Sequence, residues 1–309
     1  MSLEQYFPRL YGTKHGYVKH LDLSQFEKRM ADLGVLDKYF RVRFFGLENI
    51  PASGGALIIG NHGPFGLDAP FVLKHVYEDA GRVVRPLGDR LLFKIPLLRV
   101  LLNTVGVLEG EAEQAIEIMS AGEICSVYPG GYAETIKAPH EKYQIRQFWE
   151  NHLGYIKVAL RAQVPIIPIS CIGIDDILVQ LKTAEQTARF PPARLMQKYM
   201  KHDKYKFPLW MGLGFVPIPV QVTYKVGQAI DLGYAPEAAD DLVVLHKINE
   251  RIIDIVEGML EKGLDRRRAA QIETREKFYD RISKVPETFK QMLGGSEVYD
   301  PKLEEDDIF

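Results

Sequence analysis

The sequence predicts an α/β fold in which a mostly parallel or mixed central sheet is flanked by helices. Short apolar runs of strand length recur along the chain, at 56–59, 124–128 and 164–171. Segments with apolar residues at three- and four-residue spacing lie between these runs, and Gly- and Pro-rich turns separate the two kinds of segment. Strands that alternate with helices are typical of parallel sheets covered by helices.

The chain has 309 residues, enough for one large domain with smaller appendages. We expect a helical and aromatic N-terminal lead at 1–48, a main α/β domain at 49–262 and a charged C-terminal tail at 263–309. The appendages at both ends are expected to be helical. The long amphipathic helix at 241–262 is assigned to core packing, because its apolar residues lie on one face.

The individual elements follow from apolar periodicity and from turn residues. Helices are expected at 23–35, from about 68 onward, and at 91–102, 111–121, 154–163 and 241–262. Strands are expected at 39–45, 56–59, 82–86, 104–108, 124–128, 164–171 and 220–226.

Composition narrows the class of function. The formal net charge of −2 gives no basis for nucleic acid binding. Cys125 and Cys171 lie inside apolar runs and are expected to be buried thiols rather than disulfide partners or metal ligands. No segment has the roughly 20 apolar residues of a membrane-spanning helix, and the first residues lack a signal-peptide pattern. We expect a cytoplasmic protein that can lie peripherally on the inner face of the cell membrane.

The stretch 60–68 is the first candidate for a functional site. His62 stands at the end of an apolar strand, a Gly/Pro-rich turn follows, and Asp68 stands at the start of a helix. This geometry suits a general base and the carboxylate that orients it. Ligands of open α/β sheets bind at the same carboxyl edge of the strands. A His with a nearby carboxylate is nevertheless more often structural than catalytic, so the pair needs a second feature.

A second strand end supplies that feature. Tyr128, Pro129, Gly130 and Gly131 form a Gly-rich turn in which backbone N–H groups can face a ligand, and Glu134 follows it. The alternative is a tight turn that needs only the positive φ of glycine. Two such turns at neighbouring strand ends predict a pocket between them.

With these motifs the sequence resembles the glycerolipid acyltransferase superfamily, which includes the lysophospholipid acyltransferases. Four blocks match in order within about residues 55–175. They are the His62–Asp68 motif, the region 89–107, the turn 128–134, which stands for the family's Phe-Pro-Glu-Gly-Thr-Arg motif, and the strand 164–169. The resemblance implies a glycerol-phosphate-acyltransferase-like fold.

The departures from the family pattern bear on the acceptor. Five residues separate His62 from Asp68, where four are usual, and Gly130 and Ala133 replace the glutamate and arginine of the third motif. An arginine there would grip an acceptor phosphate. The Pro-Gly-Gly-x-x-Glu turn is instead similar to that of type-2 diacylglycerol acyltransferases and related monoacylglycerol enzymes. That branch has an arginine at the position of His152. The resemblance therefore favours a neutral acceptor.

The resemblance implies transfer of a fatty acyl group from acyl-CoA, or from acyl carrier protein, to the hydroxyl of a lipid or other hydrophobic alcohol. His62 is the expected general base and Asp68 its orienting partner. Neither a metal nor a cofactor is required. Glu134 is expected either to bind an acceptor hydroxyl or to buttress the turn. The residues expected to bind substrate are Asn61, Gly63, Tyr128, Pro129, Gly130, Gly131 and Glu134.

Three alternatives stay open. The first is a phospholipid acyltransferase that acts on 1-acylglycerol-3-phosphate. The second is a non-catalytic lipid-binding protein on the same fold, which would have no chemical need for His62 with Asp68. The third is a hydrolase in which the base activates water. The chain has no Gly-x-Ser-x-Gly elbow, which argues only against a serine mechanism.

Two further features are weighed against plain structural interpretations. Basic residues and then an aromatic, Gly/Pro-broken stretch occupy 189–217, a pattern that is typical of a peripheral membrane surface but also of a solvated helix face. We expect membrane contact through this stretch. His75 and His140 are expected to be structural or surface histidines rather than catalytic ones.

Overall fold

A computed structural model describes residues 21–90, 92–94, 96–187, 208–214 and 216–283 of the chain. Most of the stretch 189–217, through which membrane contact is expected, lies outside these residues. The described residues up to Gly263 belong to one compact unit, and those from Leu264 onward belong to a second.

The main unit is built around a seven-stranded sheet with the order β1-β9-β6-β2-β5-β3-β4. Neighbouring strands are parallel except β6 and β9, which pair antiparallel. The strands are β1 (Arg43–Phe45), β2 (Ala56–Gly60), β3 (Val84–Gly88), β4 (Leu108–Glu109), β5 (Ile124–Val127), β6 (Ile166–Ile172) and β9 (Thr223–Val226). A separate hairpin pairs β7 (Val179–Lys182) with β8 (Leu209–Met211). The predicted α/β class with a mostly parallel sheet is confirmed.

Helices connect the strands. They are α1 (Leu23–Asp32), α2 (Gly34–Tyr39), α3 (Ala69–Ala80), α4 (Pro96–Thr104), α5 (Ala112–Ser120), α6 (Gly131–Thr135), α7 (Arg146–Trp149), α8 (Gly154–Ala162), α9 (Ala184–Thr187) and α10 (Leu242–Ser283). Among the described residues, no helix combines the length and the apolar character needed to cross a bilayer.

The central strands form the core because both of their faces are covered. Every residue of β2 and of β6 is buried, and the two strands pair with Ile58 opposite Ile167. Strands buried on both faces read as continuous apolar runs rather than alternating ones, which is why their sequences were recognisable. Cys125 and Cys171 are free and buried, as expected.

Several predicted boundaries were wrong. The helix predicted at 23–35 ends at Asp32, and a second helix takes the chain through Tyr39, so the strand predicted at 39–45 keeps only Arg43–Phe45. Arg41 between them has a φ of +46°, a left-handed conformation that neither a helix nor a strand continues.

Two further segments differ from expectation. The strand predicted at 104–108 is shortened to Leu108–Glu109, because α4 extends through Thr104. The last helix was expected to stop at 262 but runs from Leu242 to Ser283, across the boundary placed between the main domain and the tail.

Three chain turns meet at one edge of the sheet. β5 and β6 pair with β2 on its two sides, and all three strands are parallel. Their carboxyl ends therefore lie side by side, and the turns that begin at Asn61, Tyr128 and Gly173 are neighbours. The fold thus brings together the two motifs that the sequence singled out.

Candidate active site

His62 and Asp68 form a hydrogen-bonded pair. Nδ1 of His62 lies 3.0 Å from each carboxylate oxygen of Asp68. Asp68 also accepts a hydrogen bond from the Gly63 N–H at 2.9 Å, and its side chain is 1% exposed. A carboxylate held at Nδ1 fixes the orientation of the ring and leaves Nε2 for a reacting group. The His62 side chain is 16% exposed, so the ring borders the surface while Asp68 is sealed beneath it.

The electrostatic environment favours the protonated form of His62. Burial opposes the charge and by itself would lower the pKa of the imidazole, but the charge of Asp68 and the hydrogen bond to it outweigh burial. Glu134 adds a smaller attraction, and Lys137 opposes it. The net result is a pKa of His62 above its ordinary value of 6.5. A base of this kind binds the transferred proton more firmly than a free imidazole does.

The main chain of His62 is anchored from both sides. Its N–H donates to Glu134 Oε1 at 2.8 Å, and its carbonyl oxygen accepts from Lys137 Nζ at 2.9 Å. The ammonium of Lys137 also lies 2.9 Å from Asp175 Oδ1, and both of these side chains are at least 95% buried. The strand-end histidine is therefore clamped to the turns that follow β5 and β6.

Glu134 buttresses the turn rather than facing a substrate. Its residue exposure is 0%, and its second oxygen accepts from Trp149 Nε1 at 2.9 Å. Burial raises the pKa of this carboxyl, although Lys137 and the hydrogen bonds from His62 and Trp149 oppose the rise. Of the two roles expected for Glu134, these contacts favour buttressing the turn, because protein groups already bond to both of its oxygens.

Gly130 is required by the position of Glu134. A Cβ added at Gly130 would lie 2.2 Å from Glu134 Oε2. The carboxylate of Glu134 therefore fills the space beside position 130, where the family motif has a glutamate of its own. In the Pro-Gly-Gly-x-x-Glu turn the acidic residue stands at position 134, four residues after position 130. Its carboxylate nevertheless lies next to His62.

Asn61 and Gly63, which are predicted to bind substrate, both make structural contacts in the turn. The Asn61 amide donates to Cys171 O at 2.9 Å and accepts from Cys171 N at 2.7 Å, so it extends the β2–β6 pairing by side-chain bonds. Gly63 is buried, and a Cβ there would lie 2.3 Å from Ile174 Cγ1. Both residues hold the shape of the turn.

Tyr128 covers one face of the histidine. Its ring is stacked on His62 with centroids 4.1 Å apart and planes 10° from parallel. Pro129 and Gly130 are buried next to it. The Gly131 N–H donates to Tyr128 O at 2.9 Å, and Gly131 has a φ of +51°, so the tight-turn interpretation holds for this glycine. Because the Gly131 N–H is used within the turn, the Gly130 N–H is the candidate backbone donor for an oxyanion that forms in this site.

Several residues of the site carried no signal in the sequence. Three residues outside the matching motifs contact His62 or a residue that holds it. Lys137 bonds to the His62 carbonyl oxygen, Trp149 bonds to Glu134, and Asp175 pairs with Lys137. Phe65 lies in the long His–Asp loop with a φ of +57° and 61% exposure, and its ring packs on Trp210 at 4.5 Å. A buried tryptophan and a non-glycine residue at positive φ are recognisable only in the structure.

No group of three or more His, Cys, Asp or Glu side chains within the described ranges is arranged to hold a metal ion. The residues of the site supply a base and hydrogen-bond donors. A histidine that is partly exposed, has a buried carboxylate partner at Nδ1 and is anchored through its main chain can take a proton from a hydroxyl that is placed beside it.

This arrangement defines the class: an α/β domain with a His–Asp pair at the carboxyl ends of parallel strands. Residues 41–172 match the family model described as Acyltransferase. The chain is 36% identical over 217 residues to the "DGAT1/2-independent enzyme synthesizing storage lipids" of Homo sapiens, which covers 70% of this chain and 60% of that protein.

Two other proteins are similar. An uncharacterized protein of Mycobacterium tuberculosis is 29% identical over 240 residues, 74% of this chain and 63% of that one. The chain thus spans about 60% of the length of these relatives. The crystal structure of PlsC, the 1-acyl-sn-glycerophosphate (LPA) acyltransferase of Thermotoga maritima, superposes with a TM-score of 0.45 at 17% identity and covers 82% of this chain and 85% of that one.

Proposed function

We propose that this chain is an O-acyltransferase that moves a fatty acyl group from acyl-CoA, or from acyl carrier protein, to the hydroxyl of a neutral lipid or other hydrophobic alcohol. The observation that carries the proposal is the His62–Asp68 pair, because a positioned base next to an open edge is what alcohol attack on a thioester requires. A general base contributes about 10²–10⁴-fold to the rate of such a step.

The residues of the site account for each proton transfer in the proposed reaction. His62 Nε2 accepts the proton of the acceptor hydroxyl while the hydroxyl oxygen bonds to the carbonyl carbon of the thioester. The C–S bond then breaks, and the proton on His62 passes to the leaving thiolate, which gives an ester and a free thiol. Asp68 stabilises the imidazolium between these two events. The Gly130 N–H is the candidate donor to the developing oxyanion, and the reaction uses neither metal nor cofactor.

The charges around the turn support a neutral acceptor. Ala133 offers no cation at the position of the family's arginine. Lys137 is near, but its side chain is 5% exposed and its ammonium is paired with Asp175. Lys142 is paired with Asp176 at 3.0 Å. An acceptor phosphate would therefore meet cations that carboxylates already neutralise. The human relative's name, which refers to synthesis of storage lipids, agrees with this substrate class.

The second candidate is the phosphate-acceptor reaction, favoured only by the likeness of the first motif to enzymes that act on 1-acylglycerol-3-phosphate. A non-catalytic lipid-binding protein remains the rival from another class. Membrane contact through 189–217 is part of the proposal, because an acceptor of this kind stays in the bilayer. A cytoplasmic protein at the inner face of the membrane fits these partners.

The test is release of free thiol from a panel of acyl-CoAs and acyl-carrier-protein thioesters. Monoacylglycerol, diacylglycerol, a long-chain alcohol and lysophosphatidic acid are each supplied as acceptor. His62→Ala is compared with His75→Ala, which removes a histidine that also pairs with carboxylates, those of Asp37 and Asp79, away from the site.

We expect turnover that needs a neutral alcohol, falls by at least about 10²-fold in His62→Ala and survives in His75→Ala. A preference for lysophosphatidic acid would transfer the assignment to the phosphate-acceptor reaction. Thiol release without any acceptor would indicate hydrolysis. A folded parent that binds lipid but turns over no donor would favour the non-catalytic rival.

A further inference from the structure

We propose that helix α4 docks on an anionic bilayer surface, with Leu97, Val100 and Leu101 immersed in the interfacial layer. The inference deepens the proposed function, because it names the surface that presents a lipid acceptor to this domain. It concerns an element that carries none of the site residues named above and that is separate in sequence from the stretch 189–217.

The outer face of α4 is apolar and uncovered by the described residues. Leu97, Val100 and Leu101 are 83%, 61% and 47% exposed. They stand at positions i, i+3 and i+4, so they form one stripe along the helix. The helix also contacts α1, and Arg29 of α1 lines the shallow groove beside the stripe. A short helix with apolar side chains turned outward needs an apolar medium or a partner.

The charged residues within the segment 90–108, which contains the helix, all have one sign. Between Arg90 and Leu108 the sequence contains three cations, Arg90, Lys94 and Arg99, and no acidic residue. Arg90 is paired with Glu111 at 2.6 Å, whereas Lys94 and Arg99 are exposed and make no ion pair with another described residue. Cations that flank an apolar stripe match a membrane surface, since they bind anionic headgroups while the stripe enters the boundary below them.

The position of α4 connects this surface to the site. The helix follows the carboxyl end of β3, and β3 runs parallel to β5, which ends next to Tyr128. α4 therefore emerges at the same edge of the sheet as the turn that carries His62. Docking through α4 would turn this edge toward the bilayer, where a lipid acceptor resides.

A second copy of the chain is the competing occupant. Three exposed side chains on a helix of nine residues are few beside the 20–30 residues a side of a stable protein interface, which buries about 1,200–2,000 Å². A twofold contact through this stripe would also bring the Lys94 and Arg99 side chains of both copies close together. A bilayer covers the three apolar side chains without needing a large protein interface and without bringing like charges together.

The experiment measures insertion directly. Leu97→Trp is made in the full chain with Trp210→Phe, and its fluorescence is recorded on vesicles of brominated phosphatidylcholine with phosphatidylglycerol. The remaining Trp149 is fully buried. The matched control is Val243→Trp in the same background. Val243 is 78% exposed and follows the segment in which Ile230 pairs with the first residue of β6, at the opposite edge of the sheet.

We expect bromine to quench the fluorescence of the Leu97→Trp variant at least twofold more than that of the Val243→Trp variant. We also expect Leu97→Glu with Leu101→Glu to lower binding to anionic vesicles by more than tenfold, whereas Val243→Glu changes it less than twofold. Equal quenching at the two positions, or unchanged binding of the double variant, would overturn the proposal. It would also fall if the double variant instead converted a dimer to a monomer in light scattering, because the stripe would then be a protein interface.

Docking and catalysis fail separately in this design. His62→Ala should bind vesicles as the parent does, so binding is tested without any turnover. The double variant of Leu97 and Leu101 should keep thiol release with a short-chain acceptor in solution. Loss of vesicle binding alone therefore addresses docking, and loss of turnover in His62→Ala alone addresses the proposed reaction.

Discussion

The ring of Tyr128 lies flat on the imidazole of His62, with 4.1 Å between the ring centroids and 10° between the planes. Its hydroxyl reaches the carboxylate of Asp68, and burial together with that carboxylate raises the pKa of the phenol well above its ordinary value. Tyr128 thus touches both members of the pair. The sequence indicated a substrate-binding residue at this position, whereas the geometry gives it a positioning role toward the base.

The stacking predicts a difference between Tyr128→Leu and Tyr128→Phe. Leucine removes the aromatic face that stabilises an imidazolium, which is worth about 0.5–2 kcal/mol, so the pKa of His62 should fall and kcat should drop by about 2- to 30-fold. Phenylalanine keeps the ring and loses only the contact with Asp68, so the pKa of His62 should rise. NMR titration of the His62 ring checks both directions, and identical titrations in the two variants would contradict the stacking role.

Asp68→Asn predicts a displaced pH profile. His62 acts as a base only when neutral, and its raised pKa places the acid limb of kcat/KM above the ordinary histidine range. Without the carboxylate charge, burial dominates and the pKa falls below that range, so the limb should move to lower pH. The maximal rate should still drop by about 10²–10⁴-fold, because the imidazolium loses its partner. A limb that stays in place would show that another group titrates.

The His62–Asp68 pair also makes the stability of the fold depend on pH. It stabilises the folded state more at low pH than at high pH. A histidine whose pKa is raised by folding contributes stability that is complete below its unfolded pKa and is lost as the pH rises through its folded pKa. Urea unfolding of the parent and of Asp68→Asn, compared from pH 5 to pH 9, should show a difference in stability that shrinks as the pH rises to the raised pKa of His62 and levels off above it. A constant difference would contradict this linkage.

Gly130→Ala should damage the site through Glu134. The added Cβ would lie 2.2 Å from Glu134 Oε2, so the carboxylate must move away from the His62 N–H. We expect the free energy of unfolding to fall by about 1–3 kcal/mol and kcat to fall with it. Gly154→Ala is the control, since a Cβ there meets nothing within 4 Å. Equal behaviour of the two alanine variants in denaturation and in turnover would refute the steric explanation.

Lys137 offers a test of the anchor. Lys137→Met leaves the carboxylate of Asp175 buried without its cation, which should cost about 3–5 kcal/mol of stability. Lys142→Met breaks the more exposed pair with Asp176 and should cost at most about 1 kcal/mol. Asp175→Asn added to Lys137→Met should restore part of the loss. Chemical denaturation measures the parent, Lys137→Met, Lys142→Met, Asp175→Asn and the double variant, and a loss in the double variant equal to the sum of its two single losses would mean that the two side chains are uncoupled.

The sequence predicted the features that depend on local residue patterns, namely the buried strands and the His62–Asp68 pair. The buried runs of β2, β5 and β6 were recognisable because strands covered on both faces are continuously apolar. His62 and Asp68 are close in sequence, so a single turn sufficed to pair them. Their surroundings were beyond prediction, since Lys137 and Asp175 meet only because β2, β5 and β6 end side by side.

The structural contacts of Asn61, Gly63 and Glu134 could not be predicted for a related reason. A motif residue can be selected for holding a turn as readily as for touching a ligand, and the composition of the motif is the same in both cases. Burial separates the two roles, and burial at a turn depends on which distant strands and helices pack over it. Trp149, which caps Glu134, is an example of such a distant neighbour.

Because β1 pairs with β9, the sheet cannot be completed until most of the chain has been synthesised. Within the described sheet β1 pairs with β9 alone, and the Tyr39 hydroxyl near it donates to Pro217 O across 178 residues. During translation the site turns emerge long before β9, so the edge of β6 stays open until residues 223–226 leave the ribosome. Such long-range closure is slow, and an open strand edge recruits other chains. Chains that terminate before β9 should therefore aggregate even though they contain His62, Asp68 and the turns around them.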